Sequence, residues 1–122
     1  MAQLLWIALG GALGASARYL LVGVVQSFSG SLLPLGTLVV NALGSFLLGY
    51  FYEAALRSAV TPELRAFFAV GVLGAFTTFS TFSYETLGLL REGATLPALL
   101  YGLGSPVLGV GAALVGVWLG GR

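Results

Sequence analysis

Four apolar runs, each long enough to cross a lipid bilayer as a helix, take up most of this chain of 122 residues. A hydrocarbon core about 30 Å thick needs about 20 helical residues, because each residue of an α-helix rises about 1.5 Å. Runs of this kind, separated by polar or Pro-containing breaks, cover about residues 4–25, 33–56, 63–90 and 96–119. The sequence therefore predicts an all-α membrane protein with a single domain, residues 1–122, of four transmembrane helices.

The composition supports this class and excludes several others. Hydrophobic residues make up 58% of the chain and charged residues only 7%, far below the roughly 25% charged residues of a soluble domain. The net charge is +1, so we expect no basic surface for nucleic acid. Without Cys or His the chain has no thiolate or imidazole for a metal site, a nucleophile or a general base. We therefore expect neither an enzyme nor a nucleic-acid-binding protein.

The breaks between the runs contain recognisable helix boundaries. The N-terminus, MAQLLW, has no basic region, so the first run is predicted to be a retained span rather than a signal peptide. Residues 26–31 (QSFSGS) are predicted to form a polar turn, and Pro34 is tolerated in the first turn of the second helix. Thr61, Pro62 and Glu63 form a good helix start, with an N-cap, a proline at the first helical position and an acidic residue beside the positive end of the helix dipole.

The loops are short, so successive spans are predicted to be antiparallel neighbours. Four such helices enclose little volume, and we therefore expect a homo-oligomer if the protein has a transport pathway. Arg57, Arg65 and Arg122 lie on one side of the predicted membrane, and Arg18 and Arg91 belong to the other. This weak bias leaves two orientations open. Copies could insert both ways and form an antiparallel dimer with its two-fold axis in the membrane plane, or all copies could place the second-to-third loop inside.

Many of the 19 glycines lie within the predicted spans. Glycine permits close approach of helix backbones in lipid, and glycines four residues apart form a contact ridge on one helix face. Gly10 and Gly14 are spaced in this way, as are Gly116 and Gly120. We expect these two pairs to have a packing role.

The third run contains an unusual cluster of hydroxyl side chains. Residues 77–83 (TTFSTFS) have five Ser or Thr near the middle of a run of 28 residues, which is longer than the hydrocarbon core requires. On a regular helix Phe76, Phe79 and Phe82 would form one stripe, and Thr77, Ser80 and Thr81 the opposite one. The hydroxyls could bond back to their own helix. We favour the alternative, in which the helix breaks at mid-membrane and presents carbonyls and hydroxyls to a bound ion.

Three other polar residues lie within the predicted spans, and each has two interpretations. Arg18 either extends its charge to the membrane surface or draws anions into a vestibule. Asn41 either joins two helices or donates hydrogen bonds to an anion. Glu85 either bonds to another helix or lies near the membrane interface. Tyr101 and Ser105 share one face of the fourth span, four residues apart.

Three stretches, one in each of the first three spans, resemble the Fluc/CrcB family of fluoride channels. They are residues 10–19 (GGALGASARY), 36–49 (GTLVVNALGSFLLG) and 71–82 (GVLGAFTTFSTF). The resemblance implies a fluoride-selective channel in the cell's plasma membrane that exports fluoride passively. It also implies an antiparallel, dual-topology homodimer with two fluoride pathways and a structural sodium ion at the centre of the interface.

The resemblance further implies roles for individual residues. Sodium would be held by the backbone carbonyls of Gly74 and Thr77 from both subunits. Phe79 and Phe82 would present their electropositive ring edges to fluoride, and Asn41 would donate hydrogen bonds. The remaining residues implied to line or support the pathway are Arg18 at the vestibule, Thr37, Tyr101 and Ser105 along a polar track, and Glu85, Ser80 and Thr81 beside it. Gly109 lies where a further hydroxyl would be expected, so the fourth span matches the family least.

Two other functions are weighed against the channel. A proton-coupled small multidrug exporter also has four short spans, but it needs a carboxylate within the first span, where this chain has Arg18 and no acidic residue. A helper subunit without transport activity would use its polar residues only to join helices.

Overall fold

The computed structural model describes residues 2–122 and has helices in each of the four predicted spans. Helix α1 is Ala2–Ser29 and helix α2 is Leu35–Ala55. Helix α3 covers residues 62–76 and is followed, after two residues, by helix α4, Phe79–Arg91. Helix α5 is Thr95–Gly120. Taken as spans, the helices at Ala2–Ser29, Leu35–Ala55, Pro62–Arg91 and Thr95–Gly120 are long and apolar enough to cross a membrane, so the chain is an all-helical, multi-pass membrane protein.

Helix α1 continues through most of the segment predicted to be a polar turn. Ser27 and Ser29 direct their hydroxyls back to the carbonyl oxygens of Val24 and Gln26, so the polar side chains are satisfied without ending the helix. The chain turns instead at Gly30, whose φ of +57° favours glycine. The prediction of a turn over residues 26–31 was therefore wrong for residues 26–29.

Helix α3 begins as the sequence predicts and then changes its winding. Thr61 is the N-cap, since its hydroxyl accepts a hydrogen bond from the Leu64 amide at 3.1 Å, and Pro62 follows at the first helical position. Residues Ala66–Leu73 have the wider π-helical winding, with backbone hydrogen bonds five residues apart, and Gly74–Phe76 are α-helical again.

Thr77 and Thr78 separate α3 from α4 and are called the linker below. Their backbones are extended, with φ and ψ of −95° and 158° for Thr77 and −151° and 121° for Thr78. Thr78 also serves as the N-cap of α4, because its hydroxyl accepts from the Thr81 amide at 3.4 Å. The second residue of the linker therefore caps the N-terminus of α4.

The most extensive helix contacts join α1 to α3 and α2 to α5. Helix α1 also meets α2, and α4 meets α5, but α2 and α3 contact each other far less than the two main pairs do. The chain order therefore does not give the main packing partners.

Glycines form the centre of both main contacts, as predicted. A Cβ at Gly10 or Gly14 would come within 3 Å of α3 backbone atoms near Val72. A Cβ at Gly116 or Gly120 would come equally close to α2 backbone atoms at Phe46 or Tyr50. Because no side chain fits between these backbones, the predicted packing role of the two glycine pairs is confirmed.

Candidate functional site

Asn41 holds the linker through both ends of its side-chain amide. Its Nδ2 donates to the Thr78 carbonyl oxygen at 3.0 Å, and its Oδ1 accepts from the Thr78 amide at 2.7 Å. The carboxamide thus pairs with Thr78 as a neighbouring β-strand would. It provides hydrogen-bond partners for backbone groups that have none within a helix. One N–H of the Asn41 side chain remains for another acceptor.

Arg18 contacts the last turn of α3 from α1. Its Nε donates to the Ala75 carbonyl oxygen at 3.1 Å. This carbonyl belongs to the group at a helix C-terminus that has no partner within the helix. Arg18 and Asn41 therefore contact residues before and after Thr77, the first residue of the linker.

The carbonyl oxygens of Gly74 and Thr77 have no such donor. Within residues 2–122, neither atom accepts a hydrogen bond from another backbone segment or from a side chain. The nearby Leu73 carbonyl, in contrast, accepts from both the amide and the hydroxyl of Thr77, at 3.3 and 3.2 Å. Gly74 is also exposed in the single chain. The carbonyl groups of Gly74 and Thr77 therefore remain available for an external partner.

Glu85 joins three helices through two hydroxyl groups. Thr37 of α2 donates to its Oε2 at 3.1 Å, and Tyr101 of α5 donates to its Oε1 at 2.9 Å. Thr37 is only 1% exposed and Tyr101 is also buried. Of the two interpretations of Glu85, the structure supports the hydrogen bond to another helix.

A groove of about 430 Å³ runs along the linker, between α2, α4 and α5. Polar and aromatic side chains line it, including Asn41, Thr77, Thr78, Phe79, Phe82 and Ser105. The Phe82 ring lies 6.0 Å from the Phe79 ring and 5.2 Å from the Tyr101 ring, measured between centroids. The Ser105 hydroxyl is buried and, among the described residues, has no hydrogen-bond partner, so it is free to donate.

A second cavity of about 490 Å³ shares Thr78 with the groove. Arg18, Thr37, Thr78, Thr81 and Glu85 contribute to its lining. Ser80 is exposed and lines neither of these two spaces. All the other residues implied to form the fluoride pathway lie at the groove, at this cavity or, in the case of Tyr101, between Glu85 and Phe82.

The stripe of three phenylalanines that a regular helix would give is not present. Phe76 is 8% exposed and lies against the Gly44 backbone, whereas Phe79 is 79% exposed. The extended linker between them changes the direction of the side chains that follow, so helical spacing cannot be counted across it. Phe79 and Phe82 remain together because both belong to α4.

Sequence reasoning missed the main contact of Thr78 and the contribution of Ser45 to the groove. The hydroxyl cluster itself was the available signal. No pattern in the sequence connects it to Asn41, 37 residues away.

The fold and these sites define a class of small multi-pass membrane proteins whose interior contains hydrogen-bond donors beside a groove. The chain belongs to the CrcB family, since the family model "CrcB-like protein, Camphor Resistance (CrcB)" matches residues 5–117.

Curated relatives match this chain over almost their whole length. A protein from Thermus thermophilus is 53% identical over 121 residues, which is 99% of this chain and 97% of the relative. The protein from Aquifex aeolicus is 49% identical over 115 residues, or 93% of each chain. The protein from Geobacter sulfurreducens is 50% identical over 121 residues, or 98% of this chain and 94% of the relative. All three are named "Fluoride-specific ion channel FluC".

Proposed function

We propose that this chain is a fluoride-selective ion channel, not an enzyme, that lets fluoride leave the cytoplasm down its electrochemical gradient. The observation that carries this proposal is the identity of about half of all residues, over nearly the full chain, with proteins named as fluoride-specific channels. Export of this kind lowers cellular fluoride and its toxicity. For such export, the protein would lie in the cell's plasma membrane.

The chemistry of the groove suits a small, strongly hydrated anion. Such an ion leaves water only where other donors replace its hydration shell, because an unsatisfied polar group costs about 1–3 kcal/mol when buried. The second N–H of Asn41 and the hydroxyl of Ser105 are free donors at the groove. The ring edges of Phe79 and Phe82 carry partial positive charge and line the same space.

The cavity beside Arg18 provides the rest of the proposed pathway. Arg18 adds a positive charge at its wall, and the hydroxyls of Thr37 and Tyr101 form the polar track. Both hydroxyls donate to Glu85, which supports the track by orienting them. Thr81 lies at the same cavity. An inside-negative potential favours outward movement by about 2.3 kcal/mol per charge for each 100 mV.

We further propose that two copies form an antiparallel, dual-topology homodimer. The groove is open in one chain, and Phe79 projects from it with 79% of its surface exposed. Gly74 is exposed as well, and a Cβ there would meet only the Ala69 carbonyl, at 3.5 Å. A second copy would cover both positions and close the groove.

A structural sodium ion fits the carbonyl groups of α3 and the linker. Sodium binds oxygen ligands, and unwound backbone carbonyls at membrane depth are known to provide them. The Gly74 and Thr77 carbonyls have no donor within the described residues, and two copies would supply four such oxygens. When bound, the ion would neutralise these partial charges between the subunits. This interpretation makes the linker the mid-membrane break suggested by the sequence.

The proposal is tested with purified protein in proteoliposomes loaded with fluoride or chloride. We expect a fluoride electrode to detect rapid efflux once a potassium ionophore relieves the charge imbalance, and a chloride electrode to detect none above protein-free liposomes. Absence of both fluxes would support a helper subunit. Proton-coupled export of a cationic dye without fluoride flux would support the multidrug exporter. Either result would overturn the proposed function.

A further inference from the structure

Among the described residues, one side-chain hydrogen bond joins the end of α3 to α1, between residues 57 positions apart. The last carbonyls of a helix lack partners within that helix. Here the Ala75 carbonyl oxygen obtains its partner from Arg18 Nε, at 3.1 Å. The neighbouring Gly74 and Thr77 carbonyls have none within residues 2–122. Arg18 therefore satisfies the Ala75 carbonyl, whereas the Gly74 and Thr77 carbonyls remain available.

We infer that Arg18 is a positioning residue, which uses its Nε–H to hold the end of α3 and so orients the carbonyls of Gly74 and Thr77. This role is distinct from attracting anions by charge, and its connection to sodium rests on the proposed function. Only one of the five guanidinium N–H groups is needed for it. The terminal nitrogens remain for the cavity that Arg18 also lines.

Arg18 acts together with Asn41 on a short piece of backbone. Arg18 fixes the Ala75 carbonyl from α1, and Asn41 fixes both polar backbone groups of Thr78 from α2. Peptide units are planar, so each intervening residue contributes only two soft dihedral angles. With Ala75 and Thr78 both held, the Thr77 carbonyl between them has little freedom. Loss of the Arg18 contact would release one end of this piece.

Two uncharged substitutions of similar length separate the hydrogen bond from the charge. In Arg18→Gln, the side-chain nitrogen stands at the same number of bonds from the backbone as Nε does, so an N–H donor is kept. In Arg18→Met, a methyl carbon takes that place. Both variants lose the positive charge, and we expect fluoride flux to fall in both. Any difference between the two therefore reports the donor.

The first readout is hydrogen–deuterium exchange of full-length protein in lipid nanodiscs, followed in peptides that cover residues 70–82. We expect Arg18→Met to raise the exchange rate at the Thr77 and Thr78 amides about tenfold, because the Ala75 carbonyl is left unpaired. Arg18→Gln is expected to exchange within about twofold of the unsubstituted protein. If the Met variant cannot be purified, Arg18→Leu replaces it, since leucine is likewise uncharged and has no donor.

The second readout is the sodium concentration that gives half-maximal fluoride flux, with N-methyl-D-glucamine as the replacing cation. We expect it to rise about tenfold in Arg18→Met and to remain unchanged in Arg18→Gln. Equal exchange rates in the Gln and Met variants, whether both normal or both raised, would overturn the inference. Unsubstituted protein without fluoride flux would instead refute the proposed function, and the exchange comparison would still decide the role of Arg18.

Discussion

At the scale of single residues, the structure assigns to several polar side chains the task of completing backbone hydrogen bonds. The sequence left Asn41 with two roles, joining helices or donating to an anion. Its Oδ1 and one N–H are used by Thr78, so the joining role is present in the structure, and one N–H remains for the proposed pathway. A residue of this kind is sensitive to changes that keep its size and alter only its hydrogen bonding.

Replacing Asn41 by Asp tests this sensitivity. The variant keeps an acceptor for the Thr78 amide but places a carboxylate oxygen where Nδ2 now donates to the Thr78 carbonyl at 3.0 Å. We expect a loss of about 1–3 kcal/mol at this contact, and a fall in fluoride efflux from proteoliposomes by at least about tenfold.

Gln26→Glu is the matched control for the charge. Gln26 Oε1 accepts from the Gly36 amide at 2.7 Å, in the first turn of α2. A glutamate keeps this acceptor and is favoured at the positive end of a helix, so flux should be retained. Normal flux in Asn41→Asp would show that the linker contact has no part in conduction.

Phe82 tests whether the aromatic lining of the groove matters beyond its volume. Phe82→Ile removes the ring edge next to Phe79 and Tyr101 but keeps an apolar side chain, so we expect a sharp fall in fluoride efflux with the protein still folded. Phe28→Ile is the control, since Phe28 is 86% exposed on α1. Equal flux in the two variants would assign Phe82 to packing. Phe76 is unsuitable as a control because it is buried.

At the scale of helices, contacts between backbones decide which elements pack together. The contact between α2 and α5 includes Gly116, where a Cβ would come within 3 Å of α2 backbone atoms of Phe46 and Tyr50. The helices would have to separate to admit a methyl group. Other glycines of α5, such as Gly111, have no atom within 4 Å of the added Cβ.

Gly116→Ala is therefore expected to destabilise the protein by about 1–3 kcal/mol, the usual cost of overpacking a tight contact. Thermal unfolding in detergent, followed by circular dichroism, measures the change. Gly111→Ala should unfold at the original temperature or above it, because alanine favours the helix more than glycine does. Equal melting temperatures would mean that the α2–α5 contact adapts easily.

At the scale of the whole molecule, a second copy is proposed to bind where Gly74 and Phe79 are exposed on either side of the linker. Gly74→Val tests this at one position. Because a Cβ at Gly74 has ordinary space within one chain, we expect helical content to be unchanged while the dimer fraction in size-exclusion chromatography falls and flux is lost. Gly88→Val is the control, since its Cβ has no neighbour within 4 Å. An intact, active dimer in Gly74→Val would contradict the proposed interface.

The orientation of the two copies calls for a separate experiment. With net charge +1, two lysines added at one terminus should bias insertion toward one orientation, because basic flanking residues stay inside. We expect the biased protein to lose most of its flux in cells. Co-expression of a copy biased the other way should restore it. Full activity of one biased protein expressed alone would show that dual topology is not required.

The sequence by itself determined the features that depend on near neighbours along the chain. Hydropathy over about 20 residues set the number of membrane-crossing helices, and the Thr61 cap followed from three adjacent residues. The spacing of the glycine pairs identified the surfaces that approach closely. Each of these signals comes from one helix or one loop, so it can be interpreted without knowing the fold.

Only the tertiary structure decided which helices and side chains meet. Lipid is as apolar as the helix surfaces, so hydropathy does not distinguish the α1–α3 and α2–α5 contacts from other pairings. The partners of Arg18 and Asn41 are backbone groups 57 and 37 residues away, and they depend on where the linker leaves the helical path. Phe79 is exposed while Phe76 is buried for the same reason, because the two extended residues between them change the direction of everything that follows.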